Sequence, residues 1–195
     1  MRLVTHRSNV SVLERPDNES PNPVLPVDQQ PSIEIYLRPG VAEDLLLLNS
    51  WFQNPIVNRY SQMPKTWRDT LDWWKALDGG TVVSMMVLVD RSNPMSFYCG
   101  RSVGYVQWDD LDKEYPFLFM TIGDWAMFSQ GVGTKALLLA SKQLFKLKRN
   151  GKFHTILHPE AKMALSMANK YRELGVVKSI EPTDGGWVNV IGEFR

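Results

Sequence analysis

One change of apolar period, centred on Gly131 and Gly133, constrains the fold more than any other feature of this chain. Before it, Val82 to Val89, Ser102 to Trp108 and Pro116 to Ile122 read as three strands, separated by a turn at Arg91 to Pro94 and a polar loop at Asp109 to Glu114. Strands joined so closely form an antiparallel meander. After the glycines the period becomes helical. Ala136, Leu137, Ala140, Leu144 and Leu147 fall on one face, with Lys135, Lys142, Lys146 and Arg149 on the other, until Asn150 and Gly151 stop the helix. Phe153 to Leu157 follows as a strand, so a β-α-β crossover places a parallel pair inside an otherwise antiparallel sheet.

The flanks complete the pattern. Ile33, Ile35 and Leu37 alternate with Glu34, Tyr36 and Arg38 as in a half-buried strand, which Pro39 and Gly40 end. Leu45, Leu48 and Phe52 recur at helical spacing behind Glu43 and Asp44, whose charges suit a helix N-terminus. A second helix is predicted after Pro64, with Thr66 as cap, Asp69 three residues on, and Trp67, Leu71 and Trp74 on its core face rather than in a ligand cage. Pro159 to Leu174, closed by Gly175, reads as the last helix, and Val176 to Ile180 and Trp187 to Ile191 as the last strands. The predicted fold is α/β (α+β) in the order β-α-α-β-β-β-α-β-α-β-β: a mixed, mostly antiparallel sheet of about seven strands with four helices. Residues 1 to 31 hold five of the twelve prolines and no apolar period, which predicts a flexible arm ahead of one domain over residues 32 to 195; docking through Val24, Leu25 and Val27 is the alternative.

A formal charge of +1 gives no global attraction to nucleic acid or an anionic membrane. The longest apolar run, Val82 to Val89, falls far short of the ~20 residues of a spanning helix, and Met1 to Glu14 lacks a signal-peptide core, so a soluble, cytoplasmic protein is expected, monomeric or homodimeric. With Cys99 as the only cysteine, an intrachain disulfide and a multi-thiolate zinc site are excluded. Cys99 also has no basic motif beside it to form a thiolate nucleophile.

Chemistry concentrates in Phe128-Ser129-Gln130-Gly131-Val132-Gly133-Thr134, between a strand and a helix. Glycines let the backbone approach a ligand, and the free amides of a first helical turn attract an anion, here most naturally a pyrophosphate. The order Gly133-Thr134-Lys135 is not a Walker loop. Gly131, Gly133 and Ala136 match a dinucleotide fingerprint formally, but the roughly sixty residues that follow are too few for its repeated βαβ array. A glycine-rich helix start without a ligand is the remaining alternative.

The run Ile122-Gly-Asp-Trp-Ala-Met-Phe-Ser-Gln-Gly-Val-Gly-Thr-Lys-Ala-Leu137 resembles the acetyl-CoA loop of the GCN5-related N-acetyltransferase (GNAT) superfamily. Ile35-Tyr-Leu-Arg-Pro39 with Glu43-Asp44-Leu45 and Trp51 is similar to the opening of its ribosomal-protein N-terminal and aminoglycoside 6'-N-acetyltransferase branch. His158-Pro159 and Tyr171-Arg-Glu-Leu-Gly-Val176 resemble its late strand and helix. The resemblance runs from Ile33 to Arg195 and implies acetyl-CoA as acyl donor, held between splayed third and fourth long strands. Its pantetheine would pair near Thr121 to Asp124, including Ile122 and Gly123, and its pyrophosphate would meet the amides of Gln130 to Thr134. Of the basic face Lys135, Lys142, Lys146 and Arg149 only Lys135 is near enough to the loop to steer the 3'-phosphate; the alternative is a solvated helix face. Phe128 stands where the family usually has Arg or Gln, as an aromatic does in many members of the branch.

The resemblance assigns Tyr171 as the acid that protonates the departing thiolate, a task that suits a phenol. It lies twelve positions after Pro159, about three more than is usual, and no Asn stands at Ala161, so a buried structural tyrosine is the alternative. Asp124 resembles an active-site aspartate of some aminoglycoside acetyltransferases and would orient the amine proton; otherwise it caps a turn. Asp109, Asp110, Asp112 and Glu114 would either attract a cationic acceptor or serve solubility. His158 has no partner at metal-ligand spacing and reads as structural, so no metal is expected. The expected activity is direct acetyl transfer to a primary amine of a small molecule or protein; the alternative is a non-catalytic acyl-CoA-binding or interaction domain on the same fold.

Overall fold

The computed structural model describes residues 34–60, 63–77, 79–89, 100–148 and 150–194. The arm expected over residues 1 to 31, the turn at Arg91 to Pro94, and Cys99 lie outside them. Among the described residues seven strands and four helices follow the predicted order: β1 (Glu34–Pro39), α1 (Leu45–Gln53), α2 (Trp67–Ala76), β2 (Val82–Val89), β3 (Ser102–Asp109), β4 (Phe117–Ile122), α3 (Val132–Lys148), β5 (Lys152–Leu157), α4 (Lys162–Glu173), β6 (Val177–Pro182) and β7 (Val188–Glu193). Two 3-10 turns, Ala42–Asp44 and Trp125–Met127, precede α1 and α3. The strands form one sheet in the order β1-β2-β3-β4-β5-β7-β6. Every neighbouring pair is antiparallel except β4 and β5, the parallel pair that the crossover through α3 requires.

Both faces of the sheet are covered. Met86, Val106, Trp108, Leu118 and Phe153 join Ala136, Leu137, Ala140 and Leu144 of α3 and Ala168 and Tyr171 of α4 in one core. Leu48, Trp51 and Phe52 of α1 meet Met85, Val87 and Tyr105 in a second. β1 therefore lacks the wet face its alternation suggested, because Ile35 and Leu37 join the first core while Tyr36 packs on the second. Asp44 anchors this end: its carboxylate takes two guanidinium bonds from Arg38, at 2.7 and 2.6 Å, and the Val41 amide at 3.0 Å.

The contact stripe of α2 differs from expectation. Thr66 accepts from the Asp69 amide and Asp69 accepts from the Thr66 amide, completing a capping box. Trp67 is nevertheless exposed at 42%, whereas Trp73 meets Phe52 edge-on at 5.4 Å. Trp74 packs on the second core as expected, but the inward face is centred on Thr70, fully buried, whose hydroxyl donates to Asn49 Oδ1 at 3.0 Å and ties α2 to α1. Leu147, expected inward on α3, is exposed in the last turn, beyond the point where Leu144 closes the core.

Candidate active site

β4 and β5 touch at a single register pair, Phe117 with His154. The His154 amide donates to the Pro116 carbonyl at 3.0 Å, and strand alternation then turns the N–H and C=O groups of Met120 and Ile122 toward β5 as well. They reach no β5 partner, because the strands have parted by then. Thr121 faces the other way, its carbonyl so close to Gly104 that a Cβ there would lie 2.3 Å from it. Beneath the parting is an apolar cavity of about 90 Å³ lined by Met120, Leu137, Phe153, Met167 and Tyr171 among others.

The end of β4 is held from two sides. Gly123 and Asp124 both donate to the Val103 carbonyl, at 2.8 and 3.0 Å. Gly123 lies under the Trp51 indole, whose nearest atoms would be 2.0 to 2.4 Å from a Cβ, so only glycine fits. Asp124 Oδ1 accepts from the Ala126 amide at 3.0 Å and starts the 3-10 turn, while Oδ2 pairs with Arg101. Arg101 carried no sequence signal, because the contact spans 23 positions.

After the turn, Ser129 and Gly131 adopt positive φ values of 61° and 78°. Left-handed residues alternating with ordinary ones curve a loop so that its amides converge, as anion-binding nests do. Lys135 is the first amide to reach back, to the Gly131 carbonyl at 3.1 Å. The amides of Val132, Gly133 and Thr134 precede it and have no carbonyl within the helix. A side chain at Gly133 would project toward Met167 Sδ (3.7 Å) and Met120 Cε (3.9 Å), into the wedge, so the loop and the strand gap form one groove. Phe128 is half-buried; Ser129 and Gln130 are exposed, with Gln130 donating to the Ala126 carbonyl at 2.7 Å.

Tyr171 enters this groove from α4. It is buried, its hydroxyl donates to the Thr134 carbonyl at 3.4 Å, and burial raises its pKa, so the phenol keeps its proton through neutral pH. The predicted residues Ile122 to Lys135 and Tyr171 thus lie at one end of β4. The acidic loop does not join them. Asp109 pairs with Phe117 while Ile122 pairs with Gly104, which puts the loop at the opposite end of β4. There Asp109 accepts from Thr81 and Gln107, and Glu114 pairs with Lys152. His158, just past β5, is packed between Tyr60 (stacked, 5.2 Å) and Trp187 (edge-on, 5.0 Å), and its Nδ1 accepts from the Glu160 amide at 3.2 Å. Among the described residues no three His, Cys, Asp or Glu side chains converge on a metal site, and no helix is long and apolar enough to cross a membrane.

No family model matches the chain. It is 25% identical over 114 residues to the uncharacterized protein MJ1062 of Methanocaldococcus jannaschii, a match covering 57% of this chain and 22% of that protein, so it spans about a fifth of the length of that relative. A crystal structure of a Methanocaldococcus jannaschii domain superposes with a TM-score of 0.70 at 19% identity, over 83% of this chain and 99% of that one. Aminoglycoside acetyltransferase AAC(6')-Ib in complex with coenzyme A and kanamycin superposes with a TM-score of 0.64 at 16% identity, over 82% of this chain and 95% of that one. The fold is that of the GNAT acetyltransferases.

Proposed function

We propose that this chain is an acetyl-CoA-dependent N-acetyltransferase that passes the acetyl group directly to a primary amine. The observation that carries the reading is the continuity of the groove, from unpaired backbone at Met120 and Ile122 to the open amides of Val132, Gly133 and Thr134. A strand gap offers hydrogen bonds to the amides of a pantetheine arm, and a helix start offers partial positive charge to a pyrophosphate. Acetyl-CoA, when bound, supplies the activated acyl carbon.

The chain's own residues then hold and move protons. Tyr171 keeps its phenolic proton in the apolar wedge beside Met120 and Met167 and delivers it to the departing thiolate. Its long bond to the Thr134 carbonyl is weak enough to be exchanged during that transfer. Asp124, fixed by Ala126 and Arg101, orients the approaching amine at the end of β4. The same partners also favour a second reading, in which Asp124 and Tyr171 are structural and the domain binds acyl-CoA without turnover.

Two measurements test this. Calorimetric titration of coenzyme A into Gly133→Val is expected to show a loss of at least ~10-fold in affinity at an unchanged melting temperature, because ordinary contact distances surround the new Cβ. Wild-type affinity in the folded variant overturns the groove assignment. Thiol release from acetyl-CoA across a panel of amines then separates transfer from binding alone.

A further inference from the structure

We infer that the acceptor carries an anionic group, a carboxylate or a phosphate, that seats on Arg59 and Lys65; this rests on the acetyl-transfer reading above. An open surface depression of about 350 Å³ lies beside the segment that follows α1 and is lined by Phe52, Gln53, Pro55, Asn58, Arg59 and Lys65. The last turn of α1 and that segment together span the two strand ends of the groove. At one end Trp51 lies on Gly123 beyond β4, and at the other Tyr60 stacks on His158 beyond β5. An amine whose polar tail occupied the depression would therefore lie alongside the C-terminal ends of both strands.

The lining has two cations and no acid. Among the described residues neither Arg59 nor Lys65 has a carboxylate within salt-bridge distance, whereas Arg38, Arg101 and Lys152 each have one. Arg59 lies 5.2 Å from the Tyr60 ring centroid, a contact that leaves the guanidinium's hydrogen-bonding edge available to a fork of oxygens. The loop is also preorganised: Asn58 donates from Nδ2 to the Phe52 carbonyl at 2.7 Å and from its amide to the Asn54 carbonyl at 2.9 Å. The acids that would have drawn a cationic acceptor sit at the far end of β4, Asp109 and Glu114 bonded to Thr81 and Lys152. Charge thus selects against a polyamine and for an amine with an acidic tail.

The test uses matched pairs on the full chain: O-phosphoethanolamine against ethanolamine for phosphate, and lysine against cadaverine for carboxylate. Wild type is expected to favour the anionic member of at least one pair by ~10-fold or more in kcat/KM, and which pair responds separates the two anions. The Arg59→Glu/Lys65→Glu variant should lose that preference while binding acetyl-CoA as wild type does. Equal use of both members, or a preference untouched by the variant, overturns the inference. Calorimetric titration of O-phosphoethanolamine and lysine decides the site without turnover: binding that the double variant loses supports it even if no amine is acetylated, and no binding to wild type sinks it. Failure to bind coenzyme A sinks the transfer reading separately.

Discussion

Replacing Tyr171 by phenylalanine removes one oxygen and leaves the ring, so the two roles of this residue separate cleanly. As structure, the hydroxyl contributes little. Its bond to the Thr134 carbonyl is 3.4 Å long, beyond the range of strong O–H···O bonds, and its loss should cost about 0.5 kcal/mol, a fall of ~2 °C in melting temperature. As an acid it contributes much more, since general acid catalysis is worth ~10²-fold, or about 2.7 kcal/mol of barrier. Because burial raises its pKa, the phenol stays protonated through neutral pH, and the wild-type rate should not fall in that range from loss of this proton. The assay is thiol release at saturating acetyl-CoA and saturating acceptor, with the coenzyme A affinity and melting temperature of the variant measured alongside. The affinity matters because the bond to Thr134 ties α4 to the first turn of α3. Turnover within about twofold of wild type, at unchanged affinity, would refute the acid assignment and leave the proton to water or to the substrate.

Two further predictions concern the frame. Gly123→Ala sets a Cβ within 2.4 Å of Trp51 ring atoms that are almost wholly buried, and overpacking of this kind costs ~1–3 kcal/mol; chemical denaturation should show it, and unchanged stability would mean that the indole swings aside freely. Burial pushes the Asp44 carboxyl up, but the Arg38 guanidinium and the Val41 amide outweigh burial and hold it below its ordinary value of 3.8. A depressed carboxyl stabilises the fold above that value and loses the contribution as pH falls through the folded value, so acid should narrow the stability gap between wild type and Asp44→Asn, a gap of ~1–3 kcal/mol at pH 7. A gap that stays constant into acid contradicts the ion-pair account.

The order of elements was legible because each rests on a local signal: alternation in the meander, helical period after Gly133, a capping box at Thr66 and Asp69. The residues proposed to meet the cofactor are nearly contiguous from Ile122 to Lys135, so a local signal suffices to single them out as a group. What failed depended on contacts between distant segments. The phase of α2 is set by the Thr70 hydroxyl meeting Asn49, 21 positions away, and no periodicity of tryptophans reports that. The acidic loop was misplaced because a hairpin doubles back: residues close in sequence to β4 lie at its start, while the groove lies at its end. Arg59 was overlooked because nothing in the sequence shows that the end of α1 and the segment after it reach both strand ends.

The lone bridge between β4 and β5 has a mechanical meaning. Every other neighbouring pair is joined by five or six register pairs, interrupted only by irregularities at Met86/Val87 and Val177/Ser179, so strands β1 to β4 and strands β5 to β7 form two rafts moored at one point, with α3 and α4 packed on them. Relative rotation of the rafts breaks no ladder beyond Phe117 and His154 and is resisted mainly by the core they share. A guest that hydrogen-bonds along both edges of the opening acts as the missing rungs. It couples the halves, raises protection from hydrogen exchange on both sides of the seam, and stabilises the folded state against unfolding by an amount that grows with the logarithm of its free concentration over its Kd. On the proposed reading, the opening is the place where the chain leaves its own sheet for a ligand to complete.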